Sequence, residues 1–281
     1  EEILSIVPKF DQTVLEQIPQ KPIRNELAKP PTLQEVEQAI NKLKNRKAAG
    51  LDQVTPEMVK YGGGTITKCL HHILKQTWEE GSVPQAFKDA EIVAIPKKGD
   101  RSICDNWRGI SLLSIGGKIL TNVIANRLKI VAEMVVQETQ NGFRPNRSTV
   151  DAIHIFRRLI ELHEATETEF HAVFVDMRKF YDTIPRELLF QVLGRWGVPE
   201  EMVQVIREVH VGARGSVRTE GGRTDSFEIK GGLRQGCTLA PCLAILYMAA
   251  AIHVWTQESE SDIEISYNVT AGRLHNHNAN G

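Results

Sequence analysis

The stretch that most constrains this chain is Leu239 to Ile252, its longest apolar run. A bilayer span takes about 20 apolar residues; this run is shorter and carries Pro241 near its start. A helix apolar on every side belongs inside a core, so Leu239 to about Trp255 is read as a buried helix. At 281 residues the chain has room for that core as one large domain or two small ones. Helical and strand patterns mix around it without a regular βαβ alternation. The fold class is therefore α+β rather than a doubly wound sheet.

Local signals divide the chain. Residues up to 31 hold five prolines (Pro8, Pro19, Pro22, Pro30, Pro31) and read as an extended lead-in. Thr32 and Glu35 form a capping box that opens a helix to about Asn45. Thr55-Pro56 caps a second helix, and a third runs from about Thr65 to Gly81. Ala90 to Ile95 reads as a strand ended by Pro96, and Lys118 to about Val135 as an amphipathic helix. Ser148 and Asp151 repeat the capping pattern. Phe170 to Val175 is an apolar, β-branched run read as a strand. Pro185 and Pro199 each start a helix, and a hairpin turns at Gly221-Gly222. The tail after Gln257 is polar and irregular.

Charge and cysteines say less. Net charge is -1, so global charge carries no nucleic-acid footprint. From Glu91 to Arg147 there are nine Lys/Arg against five Asp/Glu, a local basic excess that a solvated face would also give. Cys69, Cys104, Cys237 and Cys242 have no zinc-like spacing, which points to a reduced intracellular protein, cytoplasmic or nuclear. No targeting pattern opens the chain.

Four blocks carry chemistry. In Phe174-Val-Asp176-Met-Arg-Lys-Phe-Tyr181-Asp182, a carboxylate ends an apolar run, where it could hold Mg²⁺ with phosphate oxygens. An aspartate in that place is more often a turn residue or cap. In Gly231-Gly-Leu-Arg234-Gln235-Gly236-Cys237, glycines allow close backbone approach beside a fixed charge and a two-way hydrogen-bonding amide. A plain loop-to-helix junction would look the same. Ile95-Pro-Lys97 with Trp107-Arg108-Gly-Ile-Ser111 sets two cations around a loop, suited to a triphosphate or simply to solvent. Asn141-Gly-Phe-Arg144-Pro-Asn-Arg147 sets two arginines before a helix, suited to a nucleic-acid backbone or to turn structure.

In this order and spacing the blocks resemble the reverse transcriptase domain of non-LTR (LINE-like) retrotransposons, from about Pro31 to Trp255. Leu43 to Asp52 resembles the segment before the fingers. The Lys97 and Arg108 blocks resemble fingers motifs, Gly142-Phe-Arg144-Pro the template-side motif, and the Asp176 and Gln235 blocks two palm motifs. The resemblance implies fingers over residues 32–165, a partial palm over 166–257 and an irregular tail from 258. It makes Asp176 the catalytic, Mg²⁺-binding carboxylate, with the Met177 carbonyl as a second metal ligand. Lys97 and Arg108 would clamp the triphosphate, Tyr181 would gate the sugar, and Gln235 and Gly236 would line the nucleotide. Arg144, Arg147 and Arg234 would bind template. The implied partners are an RNA template, a DNA primer and a dNTP, with no membrane.

The sequence departs from the family at Gly109, usually Pro, and at Leu233, often Val. More seriously, it has no Asp-Asp pair, so the aromatic-x-Asp-Asp motif of the palm is missing. The expectation is a domain cut before that motif, without a thumb, of marginal stability and unable to polymerise by itself. The alternative is a remnant that binds RNA or protein without catalysis. A third reading, an unrelated α+β hydrolase, has no Ser/His/Asp or Gly-x-Ser-x-Gly pattern to support it.

Overall fold

The computed structural model describes residues 12–258. Two 3₁₀ turns, Gln12–Gln17 and Asn25–Ala28, precede helix α1 (Leu33–Asn41). Both halves of the Thr32 capping box form: its hydroxyl accepts from the Glu35 N–H, and the Glu35 carboxylate accepts from the Thr32 N–H. Thr55 caps α2 (Pro56–Lys60) through the Met58 N–H, with Pro56 at the first position. Helix α3 (Gly63–Glu80) stops at Gly81 in the left-handed conformation. One turn, α4 (Gln85–Lys88), leads into the sheet.

Strand β1 (Ala90–Pro96) pairs antiparallel with β2 (Trp107–Leu113), Ala90 opposite Leu113 and Pro96 opposite Trp107. Next come α5 (Ile115–Val135), α6 (Thr149–Ala165), the single turn α7 (Phe180–Thr183), α8 (Arg186–Arg195) and α9 (Glu200–His210). Strands β3 (Arg214–Thr219), β4 (Gly222–Arg223) and β5 (Phe227–Glu228) follow, and then α10 (Ala240–Glu258). The sheet order is β2-β1-β3-β4, with β5 also on β3, and β1 runs parallel to β3. Glu91 of β1 is buried, and the guanidiniums of Arg218 and Arg223 hold its carboxylate from the hairpin.

One connected core runs from Leu15 to Val254. Helix α10 crosses it as expected, packed on α5 and α8, and the Trp196 indole N–H donates to the Leu246 carbonyl at 3.2 Å. Its Ala240–Gln257 window is long and apolar enough to cross a bilayer, yet half of it is buried within the protein. Its packing on α5 and α8 makes it a helix of this core.

Two expectations are corrected. The stretch before residue 31 does more than lead in: Leu15, Ile18 and Leu27 are buried in the core. Arg127 fastens the same stretch by donating to the carbonyls of Leu27, Lys29 and Pro30 while pairing with Glu35. Phe170 to Val175, in turn, forms no strand: Val173, Phe174 and Val175 are 87, 83 and 81% exposed. A strand exists only against a partner, and among the described residues none pairs with this run. Phe170 and Phe174 instead meet Phe156 of α6, a helix with no buried residue. Of the tail expected from 258, Glu258 ends α10 and the rest lies outside the described residues.

Candidate active site

The β1–β2 register sets the first two cations. Ile95 faces Arg108, and just past the strand the Lys97 N–H donates to the Asn106 carbonyl at 2.7 Å. Lys97 Nζ donates to the Asp105 carbonyl at 3.0 Å. Among the described residues the Arg108 side chain has no hydrogen-bonding or ion-pair partner, which leaves its full charge available to a ligand.

Opposite lies the turn holding Tyr181 and Asp182. It is tied to the β1–β2 loop through Asp105, which accepts from Arg178 at 2.9 Å and Lys179 at 2.8 Å. The third wall is the Gly231–Gly236 loop. Gly232 has φ +63°, and a Cβ there would lie 2.6 Å from the Asp182 Cα; Gly236 has φ +106°, and a Cβ there would lie 2.6 Å from the Ser111 carbonyl oxygen. Only glycine fits both the dihedrals and the space. The loop is pinned on either side: the Leu233 N–H donates to the Tyr181 carbonyl at 2.6 Å, and the Ser111 N–H to the Gln235 carbonyl at 2.8 Å. The close approach that these glycines permit is to the protein's own backbone.

These walls enclose a cleft of about 490 Å³ lined by Lys97, Arg108, Tyr181, Gln235 and Gly236, together with Trp107, Lys179 and Asp182. Burial pushes the Asp182 carboxyl above the usual range, against the pull of Lys179, a Gln235 hydrogen bond and Lys97. Burial likewise raises the Tyr181 phenol. A smaller cavity of about 270 Å³ adjoins it under Ile92 and Ser111.

The remaining site residues lie elsewhere. Arg234 is corrected: it is buried, and its guanidinium donates to the carbonyls of Lys88 and Val209, so its charge is committed inside the protein. Arg144 is engaged within its own loop. Its side chain pairs with Glu133 at 2.9 Å and donates to the Gln137 carbonyl at 3.1 Å, bracing the loop that carries it. Arg147 pairs with Glu138, and neither arginine lines the cleft. Asp176 and Met177 sit on the exposed run outside it.

A catalytic Mg²⁺ wants near-octahedral oxygens, usually one or two carboxylates plus phosphates and water. Asp176 stands as a single exposed carboxylate, and among the described residues no group of three or more His, Cys, Asp or Glu could hold a metal. The described residues do not by themselves assemble a two-metal site.

A sequence profile for reverse transcriptase (RNA-dependent DNA polymerase) matches residues 95–269, more than half of the chain and all of the cleft lining. The chain belongs to the reverse transcriptase family. It is 28% identical over 217 residues to the transposon TX1 uncharacterized 149 kDa protein of Xenopus laevis, covering 77% of this chain and 17% of that one. It is 28% identical over 254 residues to the RNA-directed DNA polymerase from mobile element jockey of Drosophila funebris, covering 88% and 27%. A Pol polyprotein of a type-1 retrotransposable element R2 from Popillia japonica is 26% identical over 198 residues, covering 70% and 27%. The chain thus spans about a quarter or less of the length of these relatives.

Within this reverse transcriptase domain, three cleft residues had no role from the sequence: Trp107, Lys179, and Asp182, which fits the family's palm motif. Trp107 and Lys179 stand inside the motifs that carried the resemblance, next to residues given roles. Only the fold reveals which neighbours turn inward.

Proposed function

We propose that this chain is the nucleotide-binding part of a retrotransposon RNA-directed DNA polymerase of the non-LTR type, with fingers over residues 32–165 and part of a palm over 166–257. One observation carries the reading. Lys97, Arg108, Tyr181, Gln235 and Gly236 come from three separated segments and line one cleft. Two cations, an aromatic ring, an amide and a bare backbone suit a triphosphate, a sugar and a base.

In the proposed reaction a primer 3′-hydroxyl attacks the α-phosphorus of a dNTP paired to an RNA template. The new P–O bond forms as the bond to pyrophosphate breaks. Lys97 and Arg108 offset charge on the phosphates. Tyr181 lies under the sugar and excludes a 2′-hydroxyl, while Gln235 and Gly236 bound the base. The proposed ion is Mg²⁺, with Asp176 and the Met177 carbonyl among its ligands. The described residues leave its shell incomplete, and this chain by itself binds dNTP without extending a primer.

The test is a titration of dNTP against the chain's tryptophan fluorescence, with Trp107→Phe to isolate the signal from the cleft, beside a primer-extension assay on an RNA template with Mg²⁺. The expected result is saturable binding, weakened about tenfold or more in Arg108→Ala by loss of a charge-assisted contact, and no extension. Failure of the intact chain to bind any dNTP would overturn the reading. Extension abolished by Asp176→Ala would overturn the inactivity.

A further inference from the structure

Arg186 opens α8, buried, and spends its guanidinium on four backbone carbonyls. Nε donates to Gly232 at 2.7 Å, Nη1 to His210 at 3.0 Å and Ile229 at 2.9 Å, and Nη2 to Gly231 at 2.9 Å. Among the described residues no carboxylate pairs with it. A cation in a first helical turn also faces the unfavourable end of the helix dipole, and burial without a counter-ion is costly. Burial, with the charge of Arg234 nearby, pushes its pKa down to about 10, so it stays charged at neutral pH. Nothing at its own position favours an arginine. What the residue holds does: a planar fork that fixes three carbonyls of the 229–232 turn against the end of α9.

That turn leads directly into the cleft wall. Gly232 abuts Asp182, Leu233 bonds to Tyr181, and Gln235 bonds to Asp182 and Ser111. We propose that Arg186 is a positioning residue for nucleotide recognition, locking the Gly231–Gly236 loop so that Gln235 and Gly236 present the base-facing wall of the cleft. It touches no ligand. The inference rests on the cleft being a dNTP site, and it adds the device that sets the geometry of one wall. The triphosphate side, built by Lys97 and Arg108 from the sheet, does not depend on it.

The test uses the whole chain and a matched control. Arg127 also clamps three carbonyls, and neither it nor they line the cleft, so Arg127→Lys reports purely structural loosening. Binding of a dNTP and of inorganic tripolyphosphate is measured for wild type, Arg186→Lys and Arg127→Lys, with amide hydrogen exchange over residues 229–236. Lysine keeps the charge and loses the fork. In Arg186→Lys, dNTP affinity is expected to fall about tenfold, equivalent to roughly one good hydrogen bond, with tripolyphosphate affinity unchanged and exchange at Leu233 and Gln235 accelerated. Arg127→Lys moves neither. Should Arg186→Lys fail to fold, Gly232→Ala displaces the same loop from Asp182 and is expected to show the same selective loss.

Equal loss of dNTP and tripolyphosphate binding, or unchanged exchange over the loop, overturns the inference. A wild-type chain that binds no dNTP overturns the nucleotide reading instead, while the exchange comparison still decides whether Arg186 locks the loop.

Discussion

Replacing Arg127 with Met tests how the start of the described chain is held. Arg127 makes a bidentate pair with Glu35, at 2.7 and 2.8 Å, donates to the carbonyls of Leu27, Lys29 and Pro30, and lies 4.9 Å from the centroid of the Trp78 ring. Methionine keeps the apolar stem against Trp78 and removes every polar contact. Breaking a buried pair by deleting one partner costs about 3–5 kcal/mol. Here the Glu35 side chain is 30% exposed and solvent can relieve it, so about 3 kcal/mol is the working figure. At roughly 2–4 °C per kcal/mol for a chain of this size, the melting temperature should drop by about 6–12 °C.

Urea denaturation gives the free energy directly, and limited proteolysis should cut between residues 18 and 31 in the variant before the rest unfolds. A cycle with Glu35→Gln isolates the pair. The pH dependence supplies a sign. Burial pushes the Glu35 carboxyl up, but the Arg127 and Thr32 hydrogen bonds outweigh it and hold the group below its ordinary 4.5. The pair's stability is therefore full above 4.5 and lost as pH falls through the depressed value. Arg127→Met should flatten that acid limb. A loss under about 1 kcal/mol, the size of an exposed pair, with an unchanged acid limb would refute the reasoning.

Three further outcomes are expected. Tyr181→Val should open the cleft floor, so the ratio of dNTP to rNTP affinity measured by competition falls toward one. Asp182→Asn should raise the urea midpoint at pH 7: burial lifts the folded carboxyl above its unfolded value, so wild type loses stability as pH rises through the carboxylate range and the amide does not. Gly236→Ala should destabilise by more than the roughly 1–2 kcal/mol of left-handed backbone strain, since its Cβ would also lie 2.6 Å from the Ser111 carbonyl; thermal melts check it.

How far the sequence could be read depends on how local the deciding physics is. Thr32 and Ser148 announced capping boxes because the partners lie three residues away, and both boxes form. The apolar pattern of Leu239 onward was enough to place α10 in the core. Phe170 to Val175 has the composition of a strand, but a strand depends on a neighbour that the local pattern does not specify. Trp107–Leu113 went unread as β2 because Gly109 and Ser111 break its hydrophobic pattern; its pairing with β1 decides it. Charged side chains were hardest. Arg108 stays free at the cleft, whereas Arg144, Arg186 and Arg234 turn inward onto carbonyls. An arginine's charge is visible in sequence, and its direction is not.

The parallel pairing of β1 with β3 has a consequence in time. Ala90 meets Gly215 and Ile92 meets Val217, so the middle of the sheet joins segments about half the described chain apart. Contacts so distant form slowly, because a long loop must close before they contribute. During synthesis the β1–β2 ribbon waits with one edge unpaired until β3 emerges, and an unpaired edge is a template for misassembly. The Gly231–Gly236 loop follows later still in the chain, so of the three walls described for the cleft it is the last to be synthesised.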